Sequence, residues 1–392
     1  MVNVRRRFGR LLLLGGILQA GMDSMWAASF VPLGHLPGGA NSRAYGISGN
    51  GRVVVGSSNS TNGGQAFRWT AAGGMEGLGD LPGGGAAFGS LAYGVTPDGS
   101  VVIGWGQSDL GVEPYRWTAD GGMQPLGHLP GGSSPGYAYG VSADGATVVG
   151  WTRTANAFVY RGYRWTDAAG VQGLFDPSGE SRDSEAYGVS GDGSTVVGQI
   201  DVGAGYEAYR YTDAGGLQSL GDFSGGLRDS AAYAASHDGS VIVGRGDKAN
   251  ATEAFRWTSA GGLQGLGDLP GGTSYSIAYD VTNDGAAIVG FSEATEGRRA
   301  FRWTASSGMQ SIQSLLTSAG VDLTGWELRE ARGISSSGQL IAGYGINPDG
   351  FSEAWLADLS VPEPSSWALC NGLAAILCFR LCRARHQQAR IS

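Results

Sequence analysis

The sequence predicts an all-β protein built from repeated four-stranded units, and three observations carry that prediction. A tract typified by Leu-Gly-x-Leu-Pro-Gly-Gly recurs seven times, at intervals of 45–48 residues. In nearly every copy an Asp-Gly or Asn-Gly pair then separates two apolar runs, and an aromatic strand typified by Arg-Trp-Thr follows. A period of this length belongs to arrays of small β units, which must stack on one another to bury their apolar faces.

The second copy shows how one unit is built. Residues 92–96 alternate small and large side chains, the period of a strand with two distinct faces. Asp98-Gly99 follows and indicates a tight hairpin, because both turn residues need positive φ. The β-branched run 101–104 returns, 114–118 supplies an aromatic third strand, and 123–126 supplies a short fourth strand. Four short antiparallel strands in one repeat are typical of a β-propeller blade.

The two ends of the repeat array predict how the blades close. The seventh unit contains its first three strands and stops at Ser360 without a fourth. Residues 29–34, ahead of the first unit, align with the missing piece. We therefore predict a seven-bladed β-propeller over 29–360, with the last blade closed by the N-terminal strand. The longer connection after Ile312 predicts a short helix over 313–321.

Composition restricts the functions open to the chain. The net charge of −8 offers no basic face for phosphates, so we expect no nucleic acid partner. All three cysteines lie in the last 23 residues, so the repeats hold neither a disulfide nor a catalytic thiol. Neither a G-x-S-x-G elbow nor an HExxH motif gives a catalytic set. We expect no enzymatic activity, no cofactor and no metal.

Residues 1–28 have the pattern of a secretory signal peptide. An arginine-rich start at 5–10 precedes an apolar stretch at 11–18, and small residues follow at 27–29. The alternative is a membrane anchor, but a hydrocarbon core needs about 20 apolar residues and this stretch is shorter. The pattern therefore predicts export.

The C-terminal segment 361–392 has three parts: a Pro-rich link, an apolar run over 367–382, and an arginine cluster. This order resembles the PEP-CTERM sorting segment of exported proteins in Gram-negative, biofilm-forming bacteria. The resemblance implies transient membrane insertion and removal of the tail by an exosortase-like protease. A plain tail anchor with a proline hinge is the alternative, and both place the repeats outside the cytoplasm. The candidate sorting residues are Pro362, Glu363, Pro364, Arg380, Arg383 and Arg385.

The repeats themselves resemble the HAF family of extracellular repeats, named for a His-Ala-Phe-like tripeptide. The corresponding slot reads Ala-Phe-Arg at Ala66, Ala254 and Ala300, and Ala-Tyr-Arg at Ala208. The resemblance covers 31–360 and implies an exported repeat protein without an agreed activity.

Residues repeated in every unit have two interpretations. The third position of the opening tract carries groups able to bind metals, and we favour the simpler role of capping the following turn. These residues are His35, Asp80, His128, Asp176, Asp222, Asp268 and Ser314. The arginines of the third strands could bind a ligand, and we favour stacking or pairing between neighbouring sheets. They are Arg68, Arg116, Arg164, Arg210, Arg256 and Arg302.

Units four and five differ most from the others in the loops that join strand four to strand one and strand two to strand three. Their adjacent charged residues form a candidate ligand groove, although ordinary solvated loops would have the same composition. The candidate groove residues are Asp176, Glu180, Arg182, Asp183, Glu185, Arg228, Asp229 and Arg245. Aromatic residues such as Tyr137, Trp151, Tyr206 and Tyr275 favour a glycan ligand if they are exposed, since they offer stacking surfaces.

These patterns predict an exported, non-catalytic binding or structural β-propeller of the periplasm, cell surface or extracellular matrix. Its expected partners are the export machinery, an exosortase-like protease, and exopolysaccharide or cell-surface proteins. The alternative is an extracellular polysaccharide-acting enzyme, a hydrolase or lyase, with carboxylates of units four and five as acid and base.

Overall fold

Short antiparallel strands make up most of the chain that the structure describes. The computed structural model describes residues 28–84, 89–132, 134–154, 159–174 and 182–360. The sorting residues at 362–385, together with Asp176 and Glu180, lie outside these ranges. Within them, Phe30–Asp358 forms a compact unit.

The strands recur in sets of four. Those that precede or form the first three repeats are β1 (Ser29–Pro32), β2 (Ser42–Ile47), β3 (Val53–Ser60), β4 (Gly63–Thr70), β5 (Gly74–Gly77), β6 (Ser90–Val95), β7 (Val101–Ser108), β8 (Gly111–Thr118), β9 (Gly122–Pro125), β10 (Gly136–Val141), β11 (Thr147–Arg153), β12 (Tyr160–Thr166) and β13 (Gly170–Gly173). The fourth and fifth repeats contain β14 (Ser184–Val189), β15 (Thr195–Asp201), β16 (Gly205–Thr212), β17 (Gly216–Gly221), β18 (Arg228–Asp229), β19 (Ala231–Ala235), β20 (Val241–Lys248), β21 (Ala251–Thr258) and β22 (Gly262–Gly265). The remainder contains β23 (Gly271–Val281), β24 (Ala287–Ala294), β25 (Gly297–Thr304), β26 (Gly308–Ser311), helix α1 (Ile312–Ser318), β27 (Glu327–Ile334), β28 (Leu340–Ile346) and β29 (Ser352–Asp358).

Four-stranded antiparallel sheets are the unit of the fold, as the hairpin pattern predicted. The orders β2-β3-β4-β5, β6-β7-β8-β9, β10-β11-β12-β13 and β14-β15-β16-β17 follow the chain. The sets β19–β22 and β23–β26 have the same internal pairing, and a parallel contact between Thr252 and Tyr275 joins them into one eight-stranded sheet. The short strand β18 adds a parallel partner to β16.

The N-terminal strand completes the last sheet, as predicted from the missing fourth strand. The order in this sheet is β1-β29-β28-β27. The backbone N–H of Leu33 donates to the carbonyl of Ala354 at 2.9 Å, and the N–H of Gly34 donates to the Glu353 carboxylate at 3.0 Å. Leu33 and Ala354 share a hydrophobic cluster with Phe67 of the first repeat. The first and last sheets therefore pack against each other.

The Asp-Gly turns confirm the hairpin prediction, but only the glycine of each pair has positive φ, not the residue before it as expected. Side-chain hydrogen bonds show how each turn is stabilised. In the fifth repeat, the Ser236 hydroxyl donates to Asp238 at 2.8 Å and accepts the N–H of Val241 at 3.0 Å. The same arrangement recurs in the other repeats, with Asn50 in place of the acid in the first and Ser337 in the seventh. Backbone bonds link some neighbouring turns, and the N–H of Ser336 donates to the carbonyl of Gly49 at 2.9 Å. That bond joins the seventh turn to the first.

One aromatic residue from each third strand forms the centre of the core. These side chains are at most 1% exposed, so each contributes a large apolar surface to the contact between neighbouring sheets. They are Phe67, Tyr115, Tyr163, Tyr209, Phe255, Phe301 and Trp355.

The first strands approach one another closely through glycine. A Cβ on Gly188 would lie 2.5 Å from the carbonyl oxygen of Tyr233 in the next repeat, and one on Gly333 would lie 3.0 Å from the nitrogen of Ile47. The absence of a side chain here therefore lets the innermost strands of neighbouring sheets touch.

Several arginines of the third strands connect neighbouring sheets, as predicted. The Arg210 guanidinium lies 4.8 Å from the Trp257 ring centroid, Arg164 pairs with Asp213 at 3.0 Å, and Arg302 donates to the carbonyl of Gly338 at 3.3 Å.

The capping prediction is confirmed at Asp222, whose carboxylate accepts the backbone N–H groups of Phe223, Asp229 and Asp247 at 2.8–3.0 Å. The predicted helix is present as α1, which begins one residue earlier and ends three residues earlier than the predicted range 313–321, and the hydroxyl of Ser311 caps it.

Candidate binding site: the tyrosine ring and the channel mouth

Six tyrosines and one arginine form a closed ring of side chains along the innermost strands. We call this set the tyrosine ring: Tyr45, Tyr93, Tyr139, Tyr187, Tyr233, Tyr279 and Arg332. The centroids of successive tyrosine rings are 4.6 to 5.7 Å apart. The guanidinium of Arg332 lies 3.7 Å from the centroid of Tyr279 and 5.5 Å from that of Tyr45. Arg332 therefore fills the seventh place and closes the ring.

A β-bulge accompanies each of these side chains. In the first repeat, the pairing of β2 with β3 shifts register between Ala44 and Gly46, so Tyr45 is the extra residue. The same shift surrounds Arg332, between Ala331 and Gly333. A bulge re-aims the side chain of its extra residue, and here that residue lines the central channel in every repeat.

The ring and the residues after it line a channel cavity of about 310 Å³. Small or apolar residues such as Gly94 and Val95 form most of the wall beyond the ring. Asp280 stands where the first four repeats have glycine and the fifth has alanine. Burial raises the pKa of its carboxyl group to about 6, although the N–H groups of Ile334 and Val281 donate to it and oppose that shift.

A second layer of side chains, on the mouth side of the ring, comes from the residue two positions before each ring residue and its partner on the second strand. We call it the mouth layer. Because these pairs have the same register relative to the ring residue in each repeat, they lie on the same side of the ring in every sheet. The pairs are Arg43 with Ser57, Leu91 with Trp105, Tyr137 with Trp151, Glu185 with Gln199, Ala231 with Arg245, Ile277 with Phe291, and Glu330 with Tyr344. No two pairs are alike, in contrast to the ring.

Repeats two and three give the mouth layer an aromatic wall, made of Trp105, Tyr137, Trp151 and Tyr160. The Tyr137 ring centroid is 5.9 Å from that of Trp105 and 4.6 Å from that of Trp151, which is 4.8 Å from Tyr160. Tyr137 also stacks on Tyr139 of the ring, with an interplanar angle of 18°. All four wall residues are partly exposed, so they offer ring surfaces to a ligand.

Repeats four and five give it a charged wall, made of Glu185, Gln199, Asp229 and Arg245. Glu185 accepts a hydrogen bond from the hydroxyl of Tyr187 in the ring. Arg245 donates two bonds to Asp229, at 2.9 and 3.0 Å, and one to the hydroxyl of Tyr233 at 3.2 Å. Burial raises the pKa of Glu185, and the nearby Asp183 adds to this shift, while the bond from Tyr187 opposes it.

A buried carboxylate stands between two arginines in the seventh repeat. Glu330 is 2% exposed and lies 2.7 Å from Arg298 and 2.9 Å from Arg332. Tyr344 lies beside it, and burial, with Glu330 as the next cause, raises the pKa of Tyr344 to about 12. The charge of Arg332 is therefore compensated within the protein.

The structure brings some of the predicted groove residues together. Tyr206 lies near the carboxylates of Asp183, Glu185 and Asp229. Burial is the main cause that raises the pKa of Tyr206, and these carboxylates and Asp201 raise it further. Arg245 pairs with Asp229. Arg228 instead pairs with Glu207 at 2.9 Å. The guanidinium of Arg182 lies beside Gly203.

Sequence reasoning missed the tyrosine ring and Arg332. Their signal was present in the sequence: six repeats read Ala-Tyr at this position, and the seventh reads Ala331-Arg332-Gly333. The alternation of a regular strand does not reveal that a bulge turns this residue toward the channel.

Within the described ranges, no group of three or more His, Cys, Asp or Glu residues could hold a metal ion. In the same part of the chain, no helix has both the length and the apolar character needed to cross a membrane.

Neither a family model nor a curated protein matches the sequence. Among solved structures, an oligogalacturonate lyase in complex with manganese shares 14% identity and a TM-score of 0.56, over 88% of this chain and 96% of that one. The β-propeller domain of the Trilobed protease from Pyrococcus furiosus, with an open velcro topology, shares 8% identity and a TM-score of 0.51, over 81% and 93%. A putative TolB from Agrobacterium tumefaciens shares 15% identity, over 82% and 90%, with a TM-score of 0.43. The first two likenesses, together with the four-stranded sheets, identify a β-propeller scaffold and no particular activity.

Proposed function

We propose that the protein is an exported seven-bladed β-propeller that binds a glycan at its channel mouth without chemically changing it. The mouth layer carries this proposal, because an aromatic wall and a charged wall stand side by side there. Sugar rings present apolar faces that stack on aromatic side chains, and hydroxyl groups that hydrogen-bond to carboxylates, amides and arginines. Trp151 and Tyr137 would supply the stacking surface, and Glu185, Gln199 and Arg245 the polar contacts.

The difference between repeated and diverged positions supports the same site. The turns, the third-strand aromatics and the ring tyrosines recur because they build each blade. The mouth layer differs in each repeat, which is the pattern of residues selected for a ligand rather than for the scaffold.

The direction of the terminal strands is consistent with attachment at the opposite side. Asp358, at the end of β29, pairs with Leu340, which directly follows the seventh turn. Leu33 directly follows β1, and its backbone N–H donates to the carbonyl of Ala354, which lies nearer the mouth than Asp358 does. The chain therefore enters β1 and leaves β29 on the turn side.

The same proposal includes processing at both ends. The signal peptide 1–28 would be removed on export, and an exosortase-like protease would recognise Pro362-Glu363-Pro364 and remove the tail. The mature protein would reside at the cell surface or in the exopolysaccharide matrix. Intact-mass analysis of the exported protein tests this: it should lack both segments, and replacing the tripeptide with alanines should leave the tail attached. An exported wild-type protein that retains 361–392 would contradict the sorting role.

A glycan array probed with the purified protein tests the binding function. We expect binding to at least one polysaccharide, with a loss of about tenfold in affinity for Trp151→Ala, because a stacking surface is removed. Asp238→Asn, on the turn side, is the matched control and should bind as the wild type does. An array without binding, or an unchanged affinity for Trp151→Ala with a positive array, contradicts the proposed site.

A catalytic function on polysaccharide is the second candidate, and Glu185 is the observation that favours it. Its carboxyl group has a raised pKa and lies near Asp183, which suits a general acid beside a second carboxylate. Incubating polysaccharides with the protein and measuring new reducing ends or unsaturated products separates the two functions. Turnover that Glu185→Gln abolishes would establish the enzyme and overturn the non-catalytic proposal.

A further inference from the structure

The channel cavity contains an acidic side chain that the fold does not pair with a cation. Asp280 lines this cavity and accepts two backbone hydrogen bonds, from Val281 at 2.8 Å and from Ile334 at 2.9 Å. Within the described ranges, no lysine or arginine forms an ion pair with its carboxylate, and burial is the main influence on its pKa. A desolvated carboxylate without a counter-charge is costly, and a bound cation would offset that cost.

The other repeats show that the acid is an addition to the scaffold. The corresponding residues are uncharged, so packing of the innermost strands does not require a carboxylate here. These residues are Gly46, Gly94, Gly140, Gly188, Ala234 and Gly333.

The remaining wall of the cavity is suited to a positive charge. Six tyrosines surround it, and aromatic rings attract cations through their quadrupoles. Arg332 already places a guanidinium 3.7 Å from the centroid of Tyr279. Glu330 lies 2.9 Å from Arg332 and balances its positive charge. Among the described residues, the charge of Asp280 therefore has no counter-charge in the cavity.

We propose that the channel cavity binds a small organic cation, an alkylammonium group held by Asp280 and surrounded by the ring tyrosines. The volume of about 310 Å³ is at the small end of ligand pockets, which suits a compact group. The aromatic-wall residues pack beside the ring but do not line this cavity, and the proposal does not depend on the glycan function.

Calorimetric titration with choline and with 3,3-dimethylbutan-1-ol tests the proposal, because the two molecules have nearly the same shape and only choline is charged. We expect choline to bind at least about tenfold more tightly than the alcohol. Equal affinities, or no binding of choline, would overturn the proposal.

Two variants locate the site. Asp280→Asn keeps the size of the side chain and removes its charge, so choline affinity should fall about tenfold or more. Asp238→Asn, an exposed turn acid, is the matched control and should leave choline affinity unchanged. Trp151→Ala should also leave it unchanged, and a loss of choline binding in that variant would move the site to the aromatic wall.

A measurement on the unaltered protein covers the case in which Asp280→Asn does not fold. Choline should raise the melting temperature in a concentration-dependent way, since a ligand of the native state stabilises it. The neutral alcohol at the same concentration should not. An equal rise with both molecules counts against a cation site.

Discussion

The turn side and the mouth side of the same blades follow opposite rules. On the turn side, a hydroxyl and an Asp or Asn carry out the same capping in six repeats, from Ser48 to Thr282, and a serine substitutes in the seventh. On the mouth side, Tyr137 with Trp151 occupies the place that Glu185 with Gln199 occupies one repeat later. Positions shared by the repeats support the fold, so changes there should cost stability. Changes at diverged positions should weaken ligand binding instead.

The largest expected effect falls on a shared core position. Trp355→Ala should lower the free energy of unfolding by about 3–5 kcal/mol, because a fully buried indole is lost from the sheet that closes the array. Denaturant unfolding measures this loss. Phe351→Ala is the matched control, since Phe351 lies in the same repeat and is 48% exposed. Equal losses in the two variants would break the comparison.

Asp280 is the one charged residue at a position where the other repeats have glycine or alanine. We expect it to make the stability of the protein depend on pH. Its folded pKa, about 6, is above the ordinary value near 3.8, so its favourable contribution is complete below pH 3.8 and is lost as pH rises through 6. Tyr233, Tyr279 and Arg332 are the other titratable groups along this part of the cavity. Relative to Asp280→Asn, the wild type should lose on the order of 2 kcal/mol between pH 4 and pH 7. A constant difference over this range would contradict the raised pKa.

The close approach of first strands should give an effect of similar size. Gly188→Ala should cost about 1–3 kcal/mol, because the added Cβ would lie 2.5 Å from the carbonyl oxygen of Tyr233 and the strands would have to separate. Gly64→Ala is the control, since nothing lies within 4 Å of its Cβ position. Thermal unfolding of both variants decides the matter, and a Gly188→Ala protein as stable as Gly64→Ala would refute the strand contact.

The turn acids should give the smallest effect. Hydrogen bonds from Ser240 and Ser236 lower the pKa of Asp238 to about 2, below its ordinary value near 3.8. Its contribution is therefore present above pH 3.8 and is lost as pH falls toward 2. Because the carboxylate is exposed, Asp238→Asn should cost no more than about 1 kcal/mol at pH 7. Chemical unfolding at pH 7 and pH 2 should show this difference shrinking, and a larger cost at the lower pH would be inconsistent with the turn geometry.

The sequence was sufficient for the repeating features of the fold because these depend on local chemistry. Asp98-Gly99 predicted a tight hairpin with positive φ at both residues. The hairpin forms and the φ of Gly99 is +80°, but Asp98 does not have positive φ, so that part of the prediction was wrong. The missing fourth strand of the last repeat implied a partner, and Leu33 bonds to Ala354 as that implied. The helix α1 was expected from the length of its connection.

The site was less accessible to sequence reasoning, because its geometry depends on register. Residues 92–96 were interpreted as a regular alternating strand, but the bulge between Ala92 and Gly94 turns Tyr93 into the channel. The charges of repeats four and five were identified from the sequence. The partners of these charges were not identified: the bond from Tyr187 to Glu185 joins residues whose orientations depend on the corresponding bulge between Ala186 and Gly188.

The closing sheet joins the first strand of the array, β1, to the last, β29, across more than 300 residues of chain. This sheet cannot assemble until synthesis has passed Asp358, so a chain interrupted anywhere earlier keeps an unpaired edge. The last step of folding therefore requires the complete array. A circular permutant that joins 360 to 29 and opens at an exposed turn would convert this late, long-range step into a local hairpin and should fold faster.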